Sequence, residues 1–198
     1  MITSGIGKVA QFLLDRIVQA LSLAKIHPNM LTAFGLAINI AAAALFAGGN
    51  FLAAGLVVLG AGLFDMVDGR VARVTNTVTP FGAFFDSVMD RYSDMALYMG
   101  LLVYYARAER FFYVVLVAVV MAGSVMISYT RARAESLIPT CKVGFLERPE
   151  RVVLIIIGAL TNRMAPVLWV IAVLSNITVV HRILYTWRHT QRDIASSP

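Results

Sequence analysis

The sequence predicts an all-α integral membrane protein with six transmembrane helices, preceded by an N-terminal amphipathic helix at the membrane surface. Of its 198 residues, 59% are hydrophobic and 14% are charged, whereas soluble domains average about half apolar and about a quarter charged residues. The hydrophobic residues also fall in runs of roughly the length that crosses a bilayer. This composition argues against a soluble globular enzyme and excludes a disordered chain. The single cysteine, Cys141, excludes an internal disulfide framework and a cysteine-based zinc cluster.

Residues 1–27 have the pattern of an amphipathic helix that lies on a membrane face. Polar and charged residues occupy its other side, and the compact apolar core and cleavage site of a signal peptide are missing. The alternative is an ordinary helix packed on the surface of the protein itself. The apolar residues at helical spacing are Ile6, Val9, Ala10, Leu13, Ile17, Leu21 and Ala24.

The first two spans follow a break at Pro28. Residues 30–47 form the first span. The second starts at residue 51, but carboxylates begin at Asp65 before the apolar run is long enough to cross. We therefore expect that helix to continue through the acids to about residue 74.

The third and fourth spans follow a turn-like stretch at residues 75–79. Pro80 suits the first turn of a helix that runs to about residue 105, with acids in its first half and apolar residues in its second. Residues 111–129 form a clean fourth span, which is expected to continue through Arg131 and Arg133.

A polar connection over residues 136–150 leads to the fifth span. Its apolar run, residues 152–160, is short and needs part of residues 145–151, or local membrane thinning, to cross. The sixth span covers residues 165–180 and runs into a basic end through residue 192. We expect a single membrane domain over residues 1–198, with 1–27 as the juxtamembrane helix and 28–192 as the six-helix core.

Six spans place both termini on one side, and the distribution of Lys and Arg identifies that side as the cytoplasm. Of the 17 Lys and Arg residues, all but Arg107, Arg110 and Arg163 fall on the side of the termini. We expect a multi-pass protein of the cell membrane with both termini and the active site cytoplasmic. The net charge of +6 suggests anionic lipid or phosphate partners, and only weakly nucleic acid.

Four aspartates form the most informative pattern. Asp65 and Asp68 are three residues apart on one predicted helix, so they share a face. Asp86 and Asp90 are four apart on the next helix and also share a face. Because a short turn joins the two helices, we expect antiparallel neighbours whose carboxylates meet near the cytoplasmic surface.

Four carboxylates at membrane depth repel one another and are costly to desolvate, so a compensating charge is expected. Oxygen ligands favour a hard ion, Mg²⁺ or Mn²⁺, and four carboxylates can hold two such ions about 4 Å apart. Hard ions beside an arginine indicate a pyrophosphate substrate. Gly69 and Gly82 would let a ligand approach the backbone, although close helix packing explains each glycine equally well. The alternative for the acids is ion pairing with Arg70, Arg73 and Arg91.

Together these residues resemble the signature of the CDP-alcohol phosphatidyltransferases, Asp-x₂-Asp-Gly-x₂-Ala-Arg-x₈-Gly-x₃-Asp-x₃-Asp. The fixed spacing across two predicted helices argues against a chance match. The signature positions are Asp65, Asp68, Gly69, Ala72, Arg73, Gly82, Asp86 and Asp90.

The resemblance implies that the hydroxyl of an acceptor attacks the lipid-side phosphorus of a CDP-linked lipid and that CMP leaves. It implies that Asp65, Asp68 and Asp86 bind metal. Asp90 would be both a metal ligand and the general base. It also implies a nucleotide and pyrophosphate site, although capping by Asn29 explains the Pro-Asn-x-x-Thr start of the first span as well. The residues expected in that site are Pro28, Asn29, Thr32, Asp68, Gly69, Ala72, Arg73 and Gly82.

Two further blocks resemble the phosphatidylinositol phosphate synthases and their archaeal relatives, the archaetidylinositol phosphate synthases. They are Ile127-Ser-Tyr-x-Arg131-Ala-Arg133-Ala-Glu135 and Gly144-Phe-x-Glu147-Arg148-Pro-Glu150-Arg151. This resemblance implies that Arg131, Arg151 and Arg182 bind the phosphate of inositol 1-phosphate. Three basic residues from three helix ends also form an anion pocket on physical grounds. The alternative is that they are positive-inside anchors at lipid head groups.

The neighbouring charges receive simpler interpretations. Arg133 and Arg148 are expected to be lipid anchors or partners of nearby glutamates. Asp94, one turn beyond Asp90, is expected to support its neighbours or to pair with Arg91.

The sequence thus predicts an enzyme that transfers a phosphatidyl or archaetidyl group to a phosphorylated polyol, foremost inositol 1-phosphate, and releases CMP. Glycerol 3-phosphate is the alternative acceptor. A divalent-cation transporter is the alternative from another class, but it does not explain Ala72, Arg73 and Gly82. Expected partners are the CDP-linked lipid, the acceptor, membrane lipids and, by resemblance, a second copy of the chain, with no nucleic acid.

Overall fold

The computed structural model of the chain describes residues 28–74 and 79–196, with side chains at residues 29–65 and 79–191. The predicted amphipathic helix and most of the predicted turn, residues 75–78, lie outside the described residues. Every regular element in the described part is an α-helix, as the composition predicts. The helices are α1 (Pro28–Ala47), α2 (Phe51–Val74), α3 (Pro80–Arg107), α4 (Phe111–Ala134), α5 (Arg148–Leu160) and α6 (Met164–Ser196).

The helix boundaries follow the predicted spans. Helix α2 continues through its carboxylates to Val74, and α3 begins at Pro80, both as predicted. Helix α5 begins at Arg148, ahead of the apolar run at residues 152–160, and thereby gains the extra turn that the short fifth span needs.

In the described part of the chain, three helices are long and apolar enough to cross a membrane. The apolar part of α2 is shorter than a span, and α5 has only 13 residues. The helices are therefore those of a membrane protein, while six crossings remain a prediction. The three membrane-length segments are Asn29–Ala47, Phe111–Ala134 and Met164–Gln191.

The helices pack around a main apolar core. Helix α1 lies against α2 and α3, α4 lies against α3 and α6, and α5 joins α2 to α6. The core therefore fixes the relative positions of α2, α3 and α5, which carry the candidate site. Its largest fully buried apolar side chains are Phe46, Val58, Leu97, Tyr98, Leu101, Val117, Val120, Ile155, Leu168 and Ile171.

Helices α1 and α3 pack closely at Gly100. A Cβ atom at this position would overlap the backbone of Ala43, so the contact needs a residue without a side chain.

Two helix starts near the acids are capped. The Thr79 hydroxyl accepts a hydrogen bond from the Gly82 N–H at 2.9 Å, and Pro80 occupies the first turn of α3. Glu147 and Glu150 form a capping box at the start of α5, in which the Glu147 N–H donates to Glu150 Oε2 at 2.9 Å. These caps fix the direction of the first turns of α3 and α5.

Candidate active site

Three of the four predicted metal-binding aspartates converge in the structure. Asp65 lies on α2, and Asp86 and Asp90 lie on successive turns of α3. One carboxylate oxygen from each lies within 4.8 Å of the others. The predicted meeting of the two acidic helices is therefore confirmed for these three side chains. The side chain of the fourth, Asp68, lies outside the described residues.

The three carboxylates fit a hard divalent cation. They offer only oxygen ligands, and like charges this close need a counter-charge. The side chains of Asp65 and Asp90 are 28% and 18% exposed, so an ion could reach them from solvent while much of its hydration shell is replaced. This chemistry suits Mg²⁺ or Mn²⁺ better than a softer metal.

The guanidinium of Arg148 lies against the same carboxylates. Its Nη1 atom is 2.7 Å from Asp65 Oδ2 and 2.8 Å from Asp90 Oδ1. Arg148 was expected to anchor lipids or to pair with glutamates, and that expectation is wrong because the first turn of α5 points this side chain into the acidic cluster. A cation bound to these oxygens would compete with Arg148 for them.

Asp94 joins two arginines of α5. Its Oδ2 atom lies 2.6 Å from Arg151 Nη2, and its Oδ1 atom lies 3.6 Å from Arg148 Nε. The predicted pair with Arg91 is not formed among the described side chains, since Arg91 donates instead to the carbonyl of Ser87 on its own helix. As predicted, Asp94 supports its neighbours. It does so through Arg148 and Arg151 of α5, which the sequence of α3 alone does not identify as its partners.

Arg151 is a buried cation with donors to spare. The residue is 2% exposed, and Asp94 takes only one of its nitrogens. Its Nε and Nη1 atoms have no hydrogen-bond partner among the described residues. Buried donors are rarely left in this state, which makes Arg151 a candidate to bind an acceptor atom of a ligand.

Arg131 and Arg182 meet at a different carboxylate. Glu147 Oε1 accepts from Arg182 Nη2 at 2.9 Å and from Arg131 Nη1 at 3.3 Å. Arg182 is 1% exposed and also donates to the carbonyls of Ile127 and Val143 at 2.6 and 2.8 Å. The structure thus brings these two predicted phosphate ligands together, whereas Arg151 is held separately by Asp94.

Arg131 is the most accessible of the three predicted phosphate ligands, with a side chain that is 37% exposed. It also pairs with Glu135 at 3.2 Å. Burial alone would raise the pKa of the Glu135 carboxyl, but the Cys141 N–H and Arg131 outweigh it and hold that pKa below its usual range. Glu135 therefore stays ionised beside Arg131 at neutral pH.

The predicted nucleotide-site residues are described in part. A methyl group on Gly82 would lie 3.5 Å from Asn29 Oδ1, so the starts of α1 and α3 adjoin beside the carboxylates. Thr32 is 9% exposed in the next turn of α1. Gly69 lies within α2, where only the backbone is described. The side chains of the remaining predicted residues lie outside the described part of the chain: Pro28, Asp68, Ala72 and Arg73.

Sequence reasoning missed two contributions to this site. Gly35 faces Asp65, since a methyl group there would lie 3.7 Å from Asp65 Oδ1. Arg148 was assigned elsewhere. The available signal was its three-residue spacing from Arg151 at the start of a helix, which places both guanidinium groups on one face.

A cavity of about 370 Å³ opens beside the acidic cluster between α1, α2, α3 and α5. Asp65, Asp94 and Arg148 line its polar part. The rest of its wall is mostly apolar, with Val58, Leu63, Val152, Val153 and Ile156 among the lining residues.

The all-helical fold and the carboxylate site are those expected of the class of membrane transferases whose signature these aspartates resemble. The family model of the CDP-alcohol phosphatidyltransferases matches residues 25–187. The chain belongs to this family and is an enzyme.

Named relatives fall in one branch of the family. The chain is 36% identical over 172 residues to the archaetidylinositol phosphate synthase of Pyrococcus horikoshii, covering 86% of this chain and 88% of the relative. It is similar in structure to the phosphatidylinositol phosphate synthase of Mycobacterium tuberculosis with CDP-DAG bound, with a TM-score of 0.83, 34% identity and coverage of 88% and 93% of the two chains. The same enzyme in complex with manganese and citrate matches with a TM-score of 0.79, 34% identity and coverage of 88% of each chain.

Proposed function

We propose that this enzyme transfers the phosphatidyl or archaetidyl group of a CDP-linked lipid to a hydroxyl of inositol 1-phosphate and releases CMP. The observation that carries the proposal is a buried arginine, Arg151, which pairs with Asp94 one helical turn beyond Asp90 and has two nitrogens without a hydrogen-bond partner among the described residues. A phosphorylated acceptor needs a cation near the reacting centre. Asp94 contacts both Arg151 and Arg148, and Arg148 in turn contacts Asp65 and Asp90.

The donor's pyrophosphate would lie at the carboxylates. Asp65, Asp68, Asp86 and Asp90 would hold two divalent ions, Mg²⁺ or Mn²⁺, which when bound neutralise the phosphate oxygens and the departing CMP. The related mycobacterial enzyme has been solved with manganese, which supports a metal at this site.

Asp90 would act as the general base. It lies on the face of α3 that also carries Asp86 and Asp94. If Arg151 binds the acceptor's phosphate, the acceptor's hydroxyl would pass beside Asp90 on its way to the phosphorus of the donor. Its carboxylate would accept the proton of that hydroxyl as the new ester bond forms and the bond to CMP breaks.

The cavity between α1, α2, α3 and α5 provides a path for the donor. Its apolar wall suits lipid chains, and its polar end at Asp65, Asp94 and Arg148 coincides with the acidic cluster. A CDP-linked lipid is bound in the related mycobacterial structure, which supports the same donor class here. The nucleotide and pyrophosphate part of the site would be lined by Pro28, Asn29, Thr32, Asp68, Gly69, Ala72, Arg73 and Gly82.

Arg131, Arg151 and Arg182 would bind the phosphate of the acceptor. In the structure Glu147 occupies the position between Arg131 and Arg182. The acceptor's phosphate would take over at least the accessible interaction with Arg131, because charge-assisted bonds to phosphate are strong.

We propose the following arrangement in the cell. The chain crosses the cell membrane six times, with both termini and the active site in the cytoplasm, in agreement with the side on which most Lys and Arg residues fall. Two copies form a homodimer. The single domain spans residues 1–198, with residues 1–27 on the membrane face.

The test is CMP release from CDP-diacylglycerol by the purified protein with Mg²⁺ or Mn²⁺. The acceptors are inositol 1-phosphate, glycerol 3-phosphate, serine and free inositol, and an ether-linked CDP-lipid is the second donor. We expect release with inositol 1-phosphate alone. Asp90→Asn should lower the rate by about a hundredfold or more, since general-base catalysis contributes 10²–10⁴-fold.

Each other outcome has a definite meaning. Release with glycerol 3-phosphate keeps the family chemistry and changes the acceptor. Release with free inositol or serine removes the proposed role of Arg131, Arg151 and Arg182. No release with either donor, together with metal-ion flux in vesicles, would favour a divalent-cation transporter instead.

A further inference from the structure

The carboxylate of Asp94 lies between two arginines of α5. It lies one helical turn beyond Asp90 on α3 and is 5% exposed. Both of its oxygens face arginines of α5: Oδ2 is 2.6 Å from Arg151, and Oδ1 is 3.6 Å from Arg148. The described carboxylate oxygens that come within 4.8 Å of one another belong to Asp65, Asp86 and Asp90, and Asp94 is outside this group. Its surroundings are therefore those of an arginine partner, not of a metal ligand.

Arg151 is held by the Asp94 carboxylate and also adjoins the buried hydroxyl of Tyr98. Its side chain is 3% exposed, and its one ion pair among the described residues is with Asp94. The Nε and Nη1 atoms are left without a hydrogen-bond partner in that part of the chain. Asp94 thus holds the guanidinium by Nη2 and leaves its other donors available inside the protein.

The same carboxylate links two parts of the site. Arg148 contacts Asp94 through Nε and contacts Asp65 and Asp90 through Nη1. A displacement of Asp94 would shift Arg151 relative to the carboxylates that hold the donor. If Arg151 binds the acceptor's phosphate, the distance between that phosphate and the reacting phosphorus would depend on this residue.

We infer that Asp94 is a positioning residue for the acceptor: it holds Arg151 so that Nε and Nη1 face the acceptor's phosphate, and it does not bind the metal ions. This inference rests on the proposed function, because it takes the acceptor to be a phosphorylated polyol. It assigns Asp94 a role in acceptor affinity that is separate from donor binding and from metal binding.

The experiment compares Asp94→Asn and Asp94→Glu with the parent enzyme in CMP-release assays. The apparent KM is measured separately for inositol 1-phosphate, for CDP-diacylglycerol and for Mn²⁺. We expect Asp94→Asn to raise the KM for the acceptor by about tenfold, as loss of a charged hydrogen bond implies. The other two constants should stay within about twofold. Asp94→Glu restores the charge and should recover part of the acceptor affinity.

Glu109→Gln is the matched control. Glu109 is an exposed acid in the connection between α3 and α4, outside the site, and the same change from carboxylate to amide there should leave all three constants unchanged. Thermal unfolding of each variant in detergent shows whether the fold is intact. If Asp94→Asn does not fold, the test rests on Asp94→Glu. Its longer side chain keeps the ion pair but displaces the Arg151 guanidinium, so the KM for the acceptor should still rise above that of the parent.

Three results would overturn the inference. A higher Mn²⁺ requirement in Asp94→Asn or Asp94→Glu would make Asp94 a metal ligand. Equal changes in the KM of donor and acceptor, or a lower melting temperature with unchanged kinetics, would make it a structural link between α3 and α5. If the parent enzyme releases CMP with serine or free inositol but with no phosphorylated acceptor, the proposed acceptor class fails and this inference fails with it.

Discussion

The three arginines that we propose bind the acceptor's phosphate differ in how deeply they are buried, and this difference decides which of them can be tested cleanly. Arg182 is 1% exposed and ties two backbone carbonyls and Glu147 together. Its removal would leave buried acceptors unsatisfied and would destabilise the fold. Arg151 has a similar constraint through Asp94. Arg131, with a 37% exposed side chain, reports on the acceptor with the least structural disturbance.

We predict that Arg131→Gln raises the KM for inositol 1-phosphate by about tenfold, because a charged hydrogen bond to phosphate contributes about 1.5 kcal/mol or more. Steady-state CMP release measures this change. The control is Arg133→Gln on the same helix, whose guanidinium donates to the Ser136 hydroxyl at 3.2 Å. Equal effects of the two substitutions would show that general surface charge, and not a specific contact of Arg131, attracts the acceptor.

At the scale of single residues, the sequence predicts which aspartates converge better than it predicts which arginines contact them. Asp65, Asp86 and Asp90 follow from helical periodicity and from the family signature, and the structure confirms their convergence. The contacts of Arg148 and Asp94 depend on where the first turn of α5 lies relative to α3. A connection of irregular chain separates α4 from α5, so local spacing alone does not determine that position.

At the scale of the helices, the strongest constraint is the contact between α1 and α3. The prediction of helix boundaries succeeds because runs of apolar residues and Pro80 mark them in the sequence. The close contact at Gly100 does not follow from the sequence. The chain has 14 glycines, and only the packing distinguishes those that lie against a neighbouring backbone.

We predict that Gly100→Ala destabilises the protein by about 1–3 kcal/mol, the usual range for overpacking. The added methyl would overlap the backbone of Ala43, which cannot move without shifting α1. Gly60→Ala is the matched control, since a Cβ atom there meets nothing within 4 Å. That variant should be neutral or slightly stabilised, because alanine favours the helix. Thermal unfolding in detergent compares both with the parent, and equal melting temperatures would contradict the described packing of α1 on α3.

At the scale of the whole molecule, the predicted number of membrane spans depends on whether α5 crosses the membrane. Its 13 residues rise about 20 Å at about 1.5 Å per residue, which is less than the roughly 30 Å of a hydrocarbon core. Arg148 and Arg151 lie in its first turn and are paired with acids of α2 and α3. The polar site therefore extends to the start of α5. If α5 crosses the membrane, the hydrocarbon layer that it spans is thinner on the side of the acidic cluster.

We predict that α5 crosses the membrane and that the connection between α5 and α6 is exposed on the outer face. A cysteine placed by Arg163→Cys should react with a membrane-impermeant maleimide on intact cells. Leu137→Cys, in the connection between α4 and α5, should react only after the cells are made permeable. The parent chain provides the background, which should be low because Cys141 is buried. If Arg163→Cys instead reacts only in permeable cells, α5 does not cross, and the prediction of six spans with both termini in the cytoplasm is wrong. Glu109→Cys, in the connection between α3 and α4, identifies the outer face independently of α5, so a general failure of labelling would be recognised.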